Sequence, residues 1–194
     1  MIKVKFDITS VFLFLFFLLF DSITYPFIIL LSVLLHECAH LLAAKVLKVP
    51  VKCIKIGMFG ARIELDWLCR SYKAELLIAL SGPLVNMMLG LSGIMALQMY
   101  WDSSVLFFVL TNLSLAIFNL MPIRSLDGGR ILYSLLCIFF DVGTSESILV
   151  FVSFWLLVFL WGASVFLFFS SGADIYLALL SVYMFFRLII NREY

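Results

Sequence analysis

The sequence predicts an all-α polytopic membrane protein with about six transmembrane helices and a short membrane-associated β-hairpin after the second. Three observations lead there. The 194 residues are 65% hydrophobic and 13% charged, with a mean hydropathy of +1.19, whereas soluble domains carry about 25% charged residues. Apolar runs approaching the ~20 residues that cross a bilayer recur along the chain. All 13 Lys and Arg residues fall in alternate loops. A soluble globular domain is excluded, and no nucleic-acid partner is expected.

The first apolar run, Ile8 to Phe20, follows Lys3 and Lys5 and is closed by Asp21-Ser22. It resembles a signal peptide, but no small-x-small cleavage site follows, so a retained first helix is expected. The second span runs from Ile23 to Leu47, with Pro26 near its start. After it comes VPVKCIKIGMFGARIEL, Val49 to Leu65, whose β-branched runs are broken by Gly57 and Gly60. That pattern reads as a hairpin, and its apolar side chains suit the membrane interface. Its free edge would present unpaired N–H and C=O groups, with Ile54 or Ile63 lying on it.

The third span covers Ala74 to Tyr100 and the fourth Val105 to Met121. In NLMPIRSLDGGRIL, Asn119 to Leu132, Pro122 and Gly128-Gly129 break any helix. Non-helical backbone at membrane depth is tolerated only inside protein or beside a water-filled cavity. The run Ile131 to Phe140 is too short to span and reads as re-entrant or interfacial. A fifth span, Ile148 to Phe169, and a sixth, Ile175 to Ile190, complete a single membrane-embedded domain over residues 1–194.

Charge sets the orientation. With the N-terminus in the cytoplasm, the inner loops hold every Lys and Arg, while the outer turns at Asp21, Asp102 and Asp174 hold none. This follows the positive-inside rule and puts both termini in the cytoplasm. The four cysteines, Cys38, Cys53, Cys69 and Cys137, form no C-x-x-C pair and read as small apolar residues or reduced thiols.

The chemistry gathers in the second span. SVLLHECAHLLAAKV, Ser32 to Val46, contains His-Glu-x-x-His and both histidines of the chain, His36 and His40. Residues four apart lie one turn above each other, so the pair can grip one metal ion, with Glu37 beside it as a general base. Polar groups at the bilayer centre are costly and usually functional. Cys38 lies off this face. A catalytic zinc takes three protein ligands, and with no third histidine the remaining one must be a carboxylate or a thiolate. Asp127 is the best candidate, between a proline-broken segment and two glycines, expected at the cytoplasmic-side depth of the histidines. The alternative is that Asp127 caps the helix that follows. Asp141, Glu146, Glu64 and Asp66 read as solvated loop charges.

HECAH in the second span, SGPLVN in the third and NLMPIRSLDGG after the fourth resemble the site-2 protease family of intramembrane zinc metalloproteases. The resemblance covers Ser32 to Arg130. It implies Zn2+ on His36, His40 and Asp127, water activation by Glu37, and cleavage of peptide bonds in membrane-associated substrates. Asn86, in Gly82-Pro83-x-x-Asn86, and Asn119 match family positions that would hold the substrate backbone or an oxyanion; a helix–helix hydrogen bond is the other role open to them.

The layout is most similar to the stage IV sporulation protein FB branch, which has a hairpin after the second helix and no PDZ insertion. That likeness implies pro-sigma or anti-sigma factor processing in a bacterial cell membrane, with a membrane-bound regulatory inhibitor. Ala39 stands where glycine is usual and Ser125 where proline often precedes Leu-Asp-Gly. No CBS domain is expected after Tyr194. A metal transporter would spread His and Asp along a path through several helices. A non-catalytic membrane-helix-binding relative would have no use for Glu37.

Overall fold

The computed structural model describes residues 3–6, 23–57, 60–65, 71–171, 181–185 and 188. The expected first span, Ile8 to Phe20, and most of the sixth lie outside these residues; 181–185 is helical. The chain forms two compact units, Met1–Asn119 and Leu120–Tyr194.

The first unit opens with strand β1, Lys3–Phe6, followed by helix α1, Thr24–Val46. Pro26 sits in the first turn of α1, where a missing N–H breaks no helical bond. The helix ends in a Schellman turn. Val49 N–H donates to Ala44 C=O at 2.9 Å and Lys48 N–H to Lys45 C=O at 3.1 Å. Lys48 takes the left-handed conformation there, with φ 56°.

Strands β2, Val51–Gly57, and β3, Gly60–Leu65, pair antiparallel, with Gly57 opposite Gly60. The hairpin thus falls within the expected segment. Its surroundings differ from expectation, because β1 adds in parallel beside β2 and the sheet order is β1-β2-β3. Strand β2 is therefore central, and Ile54 does not lie on a free edge.

Helix α2, Tyr72–Met99, and helix α3, Ser103–Asn119, complete the first unit. Small residues let them approach closely: a Cβ at Gly90 would meet Leu113, and one at Gly93 would meet Val109. Asn112 Nδ2 on α3 donates to Ser32 Oγ on α1 at 3.0 Å, and both residues are fully buried. Ala44, Ile78, Ala79 and Ala116 fill the space between the helices.

The second unit holds helix α4, Asp127–Phe139, and helix α5, Val142–Ser171, around Ile123, Leu149 and Leu157. Two carboxylates expected to be solvated have defined work here. Asp141 caps α5, accepting from Thr144 N–H at 2.9 Å and from Thr144 Oγ1 at 2.7 Å. Glu146 pairs with the buried Arg124 at 2.8 Å.

Among the described residues, three helices are long and apolar enough to cross a membrane: Thr24–Val46, Tyr72–Met99 and Val142–Ser170. Ser103–Asn119, the expected fourth span, is a shorter apolar helix. Leu42, Met88, Met95, Phe159 and Phe169 stand exposed on these helices. Apolar outer faces of this kind belong in lipid.

Candidate metal centre

The first unit brings His36 and His40 together. Both lie on the buried face of α1, 5% and 3% exposed, while Cys38 points away and is exposed. His40 Nδ1–H donates to the Ile78 carbonyl of α2 at 2.7 Å, since a carbonyl can only accept. The ring is thereby held with Nε2 turned toward His36, the usual way a ligating histidine is oriented. Ser81 Oγ, itself donating to Ile78 C=O at 2.7 Å, lies 3.4 Å from the same Nδ1. His40 Nε2 faces His36 Nε2 at 3.1 Å. Two nitrogens ~2.0–2.1 Å from one tetrahedral zinc stand about 3.3 Å apart, so the pair fits a shared ion.

Helix α2 is shaped to admit these rings. A Cβ at Gly82 would meet both imidazoles, 2.7 Å from His36 Nε2 and 2.6 Å from His40 Cε1. Pro83 follows inside the helix and leaves the Ala79 carbonyl without its helical donor. One turn on, Asn86 is fully buried, and neither its Oδ1 nor its Nδ2 has a hydrogen-bond partner among the described residues. An unsatisfied buried amide costs about 1–3 kcal/mol per group. Asn119, at the end of α3, donates back to Leu115 C=O at 3.0 Å. Glu37 is half-buried on α1, next to His36.

The second unit presents Asp127. The residue is the first of α4, not its cap; Leu126 holds the cap position and makes no side-chain capping bond. Its carboxylate therefore sits in the first helical turn, where the helix dipole favours negative charge. Asp127 Oδ1 is 3.9 Å from Arg130 Nη1, one turn along. Gly128 and Gly129 press on the preceding loop so closely that a Cβ would strike the Leu120 and Ile123 carbonyls. Asp127 supplies the carboxylate, and His36 and His40 the imidazoles, of a His-His-Asp set of the kind that holds a metal ion.

Glu37, His36 and His40 were legible as a motif, and Gly82 was legible only as part of SGPLVN. The contact of Ser81 and Ile78 with His40 carries no sequence signal, because a backbone carbonyl is a ligand orienter whatever its side chain.

Comparison with known proteins agrees with this geometry. The profile of Peptidase family M50 matches residues 24–102 and 94–163. A zinc metalloprotease of Methanocaldococcus jannaschii is 32% identical over 115 residues, 56% of this chain and 33% of that protein. Stage IV sporulation protein FB of Bacillus subtilis is 32% identical over 110 residues, 55% of this chain and 38% of its own length. The matched stretches are thus only about a third of these relatives' length. The solved structure of the site-2 protease from Methanocaldococcus jannaschii has the same fold, with a TM-score of 0.71 and 24% identity over 98% of this chain and 91% of that one. The two histidines of α1 and the profile that runs through them and past Asp127 lead to one assignment: the chain belongs to Peptidase family M50.

Proposed function

We propose that the chain is an intramembrane zinc metalloprotease of the site-2 type, cutting peptide bonds of membrane-associated proteins within or beside the bilayer. The reading rests above all on the two imidazole Nε2 atoms that face each other at 3.1 Å on a membrane helix. His36, His40 and Asp127 would hold the ion, three protein ligands that leave a fourth position open. Held there, zinc would supply the activation of a water, lowering its pKa to about 7.

The remaining chemistry falls to side chains. Glu37 takes the proton of the attacking water and passes it to the leaving amine. Asn86, with its buried and unpartnered amide, donates to the substrate carbonyl as charge develops on it. Asn119 keeps a lesser positioning role, since its amide N–H already serves Leu115. The hairpin lies at the membrane interface and offers an edge to an unwound substrate.

The charge distribution supports both termini and the centre facing the cytoplasm. The hairpin after the second span supports the stage IV sporulation FB branch, hence a pro-sigma or anti-sigma factor as substrate and a membrane-bound inhibitor as regulator.

The test is Glu37→Gln, which keeps shape and ligands but removes the proton acceptor. The purified variant is expected to carry a full zinc content and to cleave a membrane-embedded reporter at least ~100-fold more slowly, as for loss of a general base. Wild-type cleavage by this variant would end the hydrolytic reading.

A further inference from the structure

We propose that Ser153, together with the Arg124–Glu146 ion pair, is a positioning device that holds Asp127 in place from helix α5. The proposal rests on the reading of Asp127 as a metal ligand. Residues 120–126 have no regular helix to stiffen them, and Pro122 keeps α3 from running on into them. A metal ligand nevertheless has to be held within about 0.5 Å of its working position. Ser125, directly in this loop, has a buried hydroxyl that bonds to none of the described residues.

The constraint comes from α5 instead. Ser153, fully buried in that helix, accepts the Arg124 N–H at 2.9 Å and donates to the Pro122 carbonyl at 3.2 Å. One hydroxyl thus satisfies two backbone groups two residues apart and fixes the loop between them. Arg124, 7% exposed, runs to Glu146 near the start of α5, with Nη2 to Oε1 at 2.8 Å. That bond is charge-assisted and stronger than a neutral one. The clamp reaches Asp127 through backbone. A Cβ at Gly129 would touch the Ile123 carbonyl and lie 2.8 Å from Arg124 Cα, so the first turn of α4 rests directly on the loop that Ser153 and Glu146 hold. Releasing the loop removes the floor under that turn, and Asp127 is its first residue.

The experiment uses the full chain, with zinc loss to a chelator and the visible spectrum of the cobalt(II)-substituted protein as readouts. Ser153→Ala and Glu146→Ala are each expected to lose zinc about tenfold faster, the lower range for groups that orient a ligand, and to shift the cobalt bands. Ser153→Thr, which keeps the hydroxyl, is expected to restore both. Leu157→Ala, buried in the same helix but away from the loop, controls for lost stability: it should lower the melting temperature with wild-type zinc retention and spectrum. If Asp127→Ala loses zinc while Ser153→Ala and Glu146→Ala keep wild-type kinetics and spectra, the positioning inference is wrong. If Asp127→Ala itself keeps its zinc, the ligand assignment fails first and takes the inference with it.

Discussion

At the scale of single residues, function here depends on what is missing as much as on what is present. His36, Glu37 and His40 are legible in the sequence because a polar group in an apolar run has a cost that must be explained. Gly82 is legible in the sequence only as part of a motif, and its reason comes from the structure, which sets both imidazoles against it. Its lack of a side chain is what allows two rings to lie on α2 at once. Gly82→Ala would push a methyl group into the space between His36 Nε2 and His40 Cε1. Overpacking of this kind costs about 1–3 kcal/mol, and here it falls on the ligand geometry. The variant is expected to insert and fold but to bind zinc at least fivefold more weakly, measured by competition with a chelator. Unchanged affinity would mean that α2 yields easily and that the histidines do not need its close approach.

At the scale of elements, α1, α2 and α5 are readable from length and hydropathy and the hairpin from its glycines, whereas Gly128-Gly129, expected to break any helix, lie in the first turn of α4. The expected edge at Ile54 differs as well. A four-residue strand, Lys3–Phe6, carries no pattern that distinguishes it from the flank of a helix, yet it pairs with β2 and makes that strand central. The free edge of the hairpin among the described residues is therefore that of β3. Neighbouring residues of a strand point their N–H groups to opposite sides, so of Arg62 and Ile63 one faces away from β2. Arg62→Pro and Ile63→Pro should differ: the outward one slows cleavage of a helical membrane substrate with full zinc and little effect on a short unstructured peptide. Equal cleavage of the membrane substrate by both variants and wild type would leave the edge without a role. The cap of α5 was also hidden, since Asp141 reads as a loop charge until its bonds to Thr144 are seen. Donation first from the Thr144 hydroxyl and then from its N–H holds the Asp141 carboxyl below the ordinary aspartate range. A depressed folded-state pKa gives stability that is present above the unfolded-state value and lost as pH falls through the folded one. Melting temperature should therefore fall more steeply below about pH 4 in the wild type than in Asp141→Asn, whose side chain does not titrate there; parallel profiles would show that the cap adds no pH dependence.

At the scale of the whole molecule, the arrangement of charge carries more information than its amount. The net charge is +1, which by itself says nothing about orientation, whereas the absence of Lys and Arg around Asp21, Asp102 and Asp174 predicts one. The turn between α2 and α3 holds Tyr100 and Trp101, both strongly exposed, and then Asp102. Aromatic residues at the end of a span belong at the membrane–water boundary, and Asp102 caps α3 through Ser104 N–H at 2.8 Å. The end of α1 is different in kind, with Lys45 in its last turn and Lys48 just beyond. These two ends should face opposite sides of the bilayer, with the lysines inside. The prediction can be read with single cysteines placed at Lys48 and Ser103 in a chain whose own four cysteines are replaced by alanine or serine. In intact cells a membrane-impermeant thiol reagent should label Ser103→Cys and spare Lys48→Cys, and both should react once the cells are opened. Labelling of Lys48→Cys in intact cells would invert the orientation, and would move the His36–His40 end of α1 from the cytoplasmic face, where a substrate made inside the cell would meet it, to the outer one.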